Sequence, residues 1–175
     1  MSGLGLVRPD MAAIVGQPFG VQESYPVTAS DIRRWAIAVY HPEPPPAHYL
    51  DPAAEAEGRL VAPLDINVFA WAAARTEPNP KQIEVDPKYR AVGAMEQNLG
   101  VQPPDLFRAL NGGLSVDYTG VRIRPGDVIR SSTVIERYEE KESRLGAMLV
   151  THNATTWTNQ DGEAIKTARM ALIRY

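Results

Sequence analysis

The chain has 175 residues, 44% of them hydrophobic and 22% charged, and a formal net charge of -3. These values allow a sizeable core, argue against wholesale disorder, and give no reason to expect nucleic acid or an anionic membrane as a partner. The absence of cysteine rules out a disulfide framework, a thiolate nucleophile and a Cys-ligated metal centre.

One domain spanning residues 1–175 is the default for this length. Residues 1–26 are broken by Gly and Pro and show no helical period, with Val21 to Val27 reading as a first strand. The apolar run at the N-terminus is too short for a signal-peptide core. No stretch approaches the ~20 apolar residues of a membrane span. A soluble cytoplasmic protein is the expectation. Thr28-Ala29-Ser30-Asp31 reads as a helix start, with Thr28 able to cap the N–H three residues on and Asp31 in the positive first turn. Ile32, Trp35, Ala36 and Val39 then form one apolar stripe at i, i+3, i+4 and i+7, with Arg33 and Arg34 off it.

Tyr40 to Asp51 ends that helix. The stretch holds two of the three histidines and four of the fifteen prolines. Pro44-Pro45-Pro46 has no backbone N–H groups and fixed φ, so it is expected to be extended. Asp51-Pro52 is a cap followed by a good first helical residue, and the short helix it starts ends near Gly58. A further helix is expected from Asp65 through Ile66, Phe69 and Ala73 to Ala74. Val68, Ala72 and Ala74 make it apolar nearly all round, which predicts a buried central helix.

Residues 76–105 read as a poorly periodic insertion, either a lid or a carrier of short helices. Asp105 to Leu110 suggests a turn or two of helix closed by Asn111-Gly112-Gly113. From Leu114 onward the chain reads as long strands: Leu114 to Thr119, Val128 to Glu139, Ala147 to Thr158 and Glu163 to Tyr175. They are joined by turns at Arg124 to Asp127, Ser143 to Gly146 and Asn159 to Gly162. The predicted class is α+β, one curved antiparallel sheet wrapped around a central helix.

Four stretches, in this order and spacing, carry a resemblance: Asp31 to Ala36 through the Pro-rich loop to Asp51-Pro52; Leu60-Val61-Ala62-Pro63; Ala109 to Gly113 running to Ile123 to Asp127; and Arg144 to Gly146 running to Thr158 to Glu163. The chain is similar to the MaoC-like hot-dog acyl-thioester hydratases and dehydratases, especially the MaoC-like dehydratase N-terminal domain. The family's hydration motif reads Gly-Asp-x-Asn-Pro-x-His. Its Asp and His hold a water or hydroxyl and move the proton, and an N–H at the start of the central helix stabilises the enolate oxygen.

This sequence departs from that motif. Anchored on Asp51, Tyr49 takes the His slot and His48 falls one residue early. Anchored on the end of the first helix, His41 takes the Asp slot and Glu43 the Asn slot. In the family's paired hot-dog proteins one half keeps the catalytic pair and the other, often with Tyr in the His slot, shapes the acyl pocket. The resemblance implies that this chain is the eroded half of an (R)-specific enoyl-CoA hydratase or 3-hydroxyacyl-thioester dehydratase. It would pair with a MaoC-like catalytic subunit as a heterodimer or heterotetramer. The substrate would be an acyl-CoA or acyl-carrier-protein thioester, with no metal or redox cofactor.

Two other readings stay open. A homodimer could use His41, Glu43 and His48 as its own catalytic groups, or the chain could bind acyl thioesters without turnover. Each candidate also has a plainer reading. His41, Glu43 and His48 could be surface loop residues, Tyr49 a packing residue and Asp51 a helix cap. Trp35 and Trp71 read as core. Arg122, Arg124 and Arg130 could meet CoA phosphates or line a solvated face. Tyr49, Leu64, Asp65 and Ile66 are the candidate substrate-binding residues, with the oxyanion donor placed near Leu64 to Ile66. The three scattered histidines lack metal-ligand spacing.

Overall fold

The computed structural model describes residues 4–70, 74–76, 78–84, 86–144 and 146–175. Six strands form one antiparallel sheet in the order β2-β1-β4-β5-β6-β3. They are β1 (Pro18–Ser24), β2 (Ala74–Thr76), β3 (Ala109–Tyr118), β4 (Arg130–Ser143), β5 (Gly146–Thr158) and β6 (Ala164–Arg174). The last three strands, of 14, 13 and 11 residues, follow the expected turns closely. The β5–β6 connection closes with Gly162 at φ 79°, while Asn159 Oδ1 accepts from the backbone N–H groups of Asp161 and Glu163. That is the conformation for which an Asp-Gly pair is suited.

The strand period of two decides what faces inward. Along β5, Leu149, Thr151, Asn153 and Trp157 are buried at alternate positions. Their cross-strand partners on β6 are Arg174, Leu172, Met170 and Lys166. Two basic residues therefore point into the protein from the last strand, and each must find an answering group.

Helix α2 (Ala29–Tyr40) begins as its sequence requires. Thr28 accepts from the Asp31 N–H at 3.1 Å and Asp31 reaches back to the Thr28 N–H at 2.9 Å. Such a box satisfies two otherwise orphan donors. Ala29, Ile32 and Ala36 are its buried positions. They join Val27, Tyr49, Ala54, Leu60, Ala62, Ile66, Ile123, Ile129, Trp157 and Ile165 in one apolar cluster. Asp51 Oδ1 caps α4 (Pro52–Ala56) by accepting from Ala53 at 2.9 Å, and the four-residue α3 (Ala47–Leu50) precedes it. A second cluster at the other end of the sheet joins Met11 and Ile14 to Leu99, Val101, Ile135 and Leu149.

Several expectations change. The N-terminal region holds a helix, α1 (Pro9–Ala13), with Pro in its first turn, a start too short to show a period. The first strand is Pro18–Ser24 instead of Val21 to Val27. Asp105 to Arg108 forms no helix, and Asn111-Gly112-Gly113 lies inside β3 at an irregularity between Asn111 and Leu114. Gly112 packs closely on β6: a Cβ there would meet the Ile173 side chain at 3.0 Å and Ala171 at 3.1 Å.

The central helix predicted over Asp65 to Ala74 is the largest correction. Residues 64–65 and 68–70 are turns, and Ala74–Thr76 pairs with β1 as a strand. Trp71, Ala72 and Ala73 lie outside the described residues. The apolar composition there is real but reflects a partly buried strap: Ile66 is 1% exposed and Phe69 meets Trp157 edge-on at 5.1 Å, while Leu64 is exposed. The long helix that packs on the sheet is α2. No described helix is long and apolar enough to cross a membrane.

The insertion carries a short 3-10 turn at Pro87–Tyr89 and helix α5 (Ala94–Asn98). Glu96, on α5, is fully buried and pairs with fully buried Arg174 through contacts of 3.0 and 2.7 Å. Arg174 also donates to Val92 O and Thr151 Oγ1, and Tyr138 donates to Glu96 at 3.0 Å. Removing one member leaves the other charge unanswered, whereas removing both does not. Arg174→Met is expected to destabilise the fold by about 3–5 kcal/mol, and Glu96→Met/Arg174→Met to recover part of that loss. Chemical denaturation of the single and double variants measures the difference.

Candidate functional site

The proline-rich loop keeps its candidate catalytic residues apart from the core. His41 is the C-cap of α2, and His41, Glu43 and His48 are all exposed. Among the described residues none of the three side chains makes a hydrogen bond or ion pair. His48 lies against the Tyr49 ring, with centroids 4.1 Å apart. No arrangement here holds two basic groups on one water.

Tyr49, the next residue, is 4% exposed and belongs to the α2 core cluster. Its backbone carbonyl accepts from Arg33 Nε at 3.1 Å, and Arg33 also pairs with Glu55 at 3.0 Å. Burial pushes the Tyr49 phenol up from its ordinary value, Tyr40 adds to that, and the adjacent Arg122 guanidinium opposes it. Arg122 donates to the Ala62 carbonyl at 3.2 and 2.5 Å. Arg124 donates to Gly58 O at 2.7 Å. Both cations thus hold the chain leading into the strap.

The strap runs from Ala62 to Ala70 with Leu64 and Asp65 exposed and Ile66 buried. Beneath it lies Lys166, a residue that the sequence reading passed over. Lys166 is 7% exposed, its ammonium donates to Ile66 O at 2.7 Å, and it stands 4.0 Å from the centre of the Trp157 ring. Lysine is rarely buried without a partner, and a cation over an aromatic face gains from the ring quadrupole. Burial lowers its pKa to about 8, against the pull of Asp65 in the other direction. Tyr49, Arg122, Asp65 and Lys166 therefore form one polar group around an otherwise apolar cluster. The only hint in the sequence is register: Trp157 faces Lys166 across the β5–β6 hairpin, but a one-residue irregularity after Trp157 intervenes.

Of the candidate substrate-binding residues, Tyr49 and Asp65 fall in this group, Ile66 supplies its carbonyl, and Leu64 stands at its exposed rim. A hollow of about 730 Å³ is lined instead by insertion residues including Gln82, Asp86, Tyr89 and Gln97. His152 lies on the opposite sheet face, between Arg137 at 3.1 Å and Glu139 at 3.2 Å. Among the described residues no cluster of three His, Asp or Glu could hold a metal ion.

The family described as "FAS1-like, dehydratase domain region" matches residues 13–168. No curated protein matches the chain. Among solved structures, the chain overlays on the ChsH1-ChsH2 complex from Mycobacterium tuberculosis with a TM-score of 0.62 at 16% identity, covering 97% of this chain and 95% of that one. The C-terminally truncated HadBC (3R-hydroxyacyl-ACP dehydratase) complex from the same organism gives 0.52 at 18% identity, over 91% and 96%. The (R)-hydratase PhaJ1 of Pseudomonas aeruginosa gives 0.51 at 16% identity, over 91% and 81%. These likenesses establish the hot-dog fold.

Lys166 makes stability depend on pH with a definite sign. Its value is about 8 in the folded chain and near the ordinary 10.5 when unfolded, so between those values the unfolded chain binds the extra proton and stability rises with pH. Above about 10 the raised values of Tyr49 and Tyr138 reverse the slope. Denaturation between pH 8 and 10 is expected to show rising stability that Lys166→Met abolishes.

Proposed function

The chain belongs to the FAS1-like dehydratase domain region family, within the MaoC-like hot-dog proteins, and from that premise we propose that it is the pocket-forming half of a two-subunit hydratase/dehydratase. The reaction is (R)-specific addition of water to an enoyl thioester, or its reverse from the 3-hydroxyacyl thioester. A second hot-dog subunit supplies the Asp and His that move the protons, and both work in the cytoplasm. In the hydration direction hydroxyl adds to Cβ and a proton to Cα through an enolate, so the protein need supply a base, an acid and a donor to the enolate oxygen. On this reading Tyr49 and the Leu64 to Ile66 segment wall the acyl site. No metal or redox group is required.

The observation that carries the reading is the contrast inside one loop: His41, Glu43 and His48 are exposed and unjoined, while Tyr49 is buried against the core. The sheet edge supports a partner. Strand β3 pairs with β6 on one side only among the described residues. It exposes 66% of Leu114 and 41% of Tyr118 on the inner face. An edge of ten residues with exposed apolar side chains is a template for another chain. The HadBC and ChsH1-ChsH2 neighbours are complexes of two named components, which favours a partner that is not a copy of this chain.

The test follows loss of enone-thioester absorbance for a panel of enoyl-CoAs, with the chain alone and mixed with a MaoC-like protein that carries the intact motif. Activity only in the mixture is expected, with His41→Ala, Glu43→Ala and His48→Ala each within about twofold of the unsubstituted mixture. Hydration by the chain alone, lost in His48→Ala, would replace this reading with a self-sufficient homodimer. Silence in both would leave thioester binding without turnover. Leu114→Glu is expected to weaken association with the partner at least tenfold, measured by sedimentation, while the isolated chain keeps its thermal midpoint.

A further inference from the structure

Asn111 is the one asparagine of this chain that a glycine follows. The pair lies in the edge strand β3, at the irregularity between Asn111 and Leu114. Asn111, Gly112 and Gly113 are all exposed. Packing keeps the glycine there, since a Cβ at 112 would meet Ile173 at 3.0 Å and Ala171 at 3.1 Å. The fold thus holds behind Asn111 the residue whose bare backbone leaves its peptide nitrogen least shielded.

An asparagine carboxamide is an electrophile, and the peptide nitrogen of the next residue is its nearest nucleophile. A regular strand keeps the two apart by its extended backbone, and ladder bonds on both sides hold that backbone still. Those restraints are weak at Asn111. Strand β3 has no neighbour on its outer side among the described residues. On its inner side Gly112 and Gly113 stand against Ala171 alone, so the pairing with β6 is interrupted. Glycine also permits the backbone rotation that ring closure requires. The side chain is meanwhile drawn along the chain: Asn111 Oδ1 accepts from the Gly113 N–H at 2.9 Å, closing a ring that contains the Gly112 nitrogen. That bond polarises the carboxamide. It also aims a backbone donor at the oxygen on which negative charge develops when the nitrogen attacks.

We propose that Asn111 is a site of spontaneous deamidation whose product loosens the β3 edge. The Gly112 nitrogen, its proton lost to water, bonds to Asn111 Cγ. The tetrahedral centre collapses by breaking the bond from Cγ to Nδ2, and ammonia leaves with a proton from water, giving a cyclic succinimide. Water then adds to one ring carbonyl and opens the ring to aspartate or isoaspartate. No oxidant, metal or enzyme takes part. Isoaspartate carries the main chain through the side-chain methylene, so an extra atom enters β3 ahead of Leu114. The pairing of Leu114 to Tyr118 with β6 is thrown out of register, and a new carboxylate stands near exposed Leu114 on the edge. The consequence for assembly rests on the reading above. A chain without its partner loses the edge, while a paired chain holds Gly112 still and is spared.

The experiment ages the full chain at neutral pH and physiological temperature and maps isoaspartate by peptide mass spectrometry. A free peptide spanning residues 109–114 is the unfolded reference. Isoaspartate is expected at residue 111 of the full chain at a rate within tenfold of the peptide, and not at the other asparagines. Asn111→Ser, which keeps an oxygen for the Gly113 N–H, is expected to show none there. Amide hydrogen exchange from Leu114 to Tyr118 is expected to rise in the aged chain and not in aged Asn111→Ser. Isomerisation at Asp161-Gly162 adds no charge and maps to a different peptide. A full-chain rate more than tenfold below the peptide would overturn the site. Modification at Asn111 with unmoved exchange in β3 would overturn its effect on the edge. With a MaoC-like partner bound before ageing, the rate is expected to fall at least tenfold; a bound partner that gives no protection would overturn the link to assembly. A partner that never binds would overturn the functional reading instead, because the site and the exchange are read on the free chain.

Discussion

A guanidinium with no access to water must be answered inside the protein, and the answer given to Arg174 decides how this sheet is covered. The residue points inward because it stands on the same face of β6 as Lys166, and opposite Leu149. Glu96 reaches it from α5, and Val92 O and Thr151 Oγ1 take further donors. Such a pair adds little net stability compared with a packed apolar core, but it tolerates few alternative partners. It therefore fixes the insertion on the sheet. The insertion then brings Leu99 and Val101 down onto Leu149 and Ile135, beside Met11 and Ile14.

The cover on the other end follows from a different rule. Helix α2 is amphipathic and well capped, and it buries Ile32 and Ala36 against residues brought in by β5, β6 and the strap. The core is thus two clusters on one sheet. Between them the inward positions are polar: Thr133 and Thr155 bond to each other at 2.8 Å, and Asn153 reaches Met95. The strap closes the α2 cluster, and Lys166 supports it from the sheet. Basic side chains from one strand, Arg174 and Lys166, thereby pin the two covers, each at its own end of β6.

What the sequence disclosed and what it hid divide along the range of the interactions. The capping box at Thr28 and Asp31, the Asp51 cap and the Asn159 to Gly162 turn are local chemistry, legible within four residues. The long strands were legible from their period and turn punctuation, and the order of the motifs carried the family. The strap was misread because an apolar composition alone cannot separate a helix from an irregular segment that buries only some of its side chains. Asn111-Gly112-Gly113 was misread because glycines that end helices also admit close packing inside strands, here against Ile173 and Ala171. Lys166 and Glu96 were invisible for a deeper reason. Their burial depends on partners 100 and 78 residues away, and beyond the hairpin register that sets Lys166 opposite Trp157 nothing near either in sequence marks it as an inward charge.

The same division bears on the site. A loop that must hold a proton-moving pair is constrained at several positions at once, since two basic groups have to converge on one water. A loop released from that duty is constrained only by its ends. The stretch from Tyr40 to Asp51 has the second character: its ends are a capped helix and a capping Asp51, its buried residues are Pro45 and Tyr49, and its histidines face solvent. The wall beneath it has the first character, with Arg122 and Lys166 each committed to one carbonyl. Tight control of the wall beside a relaxed loop is what a subunit would retain if its partner took over the proton transfers and it kept the task of holding the acyl group.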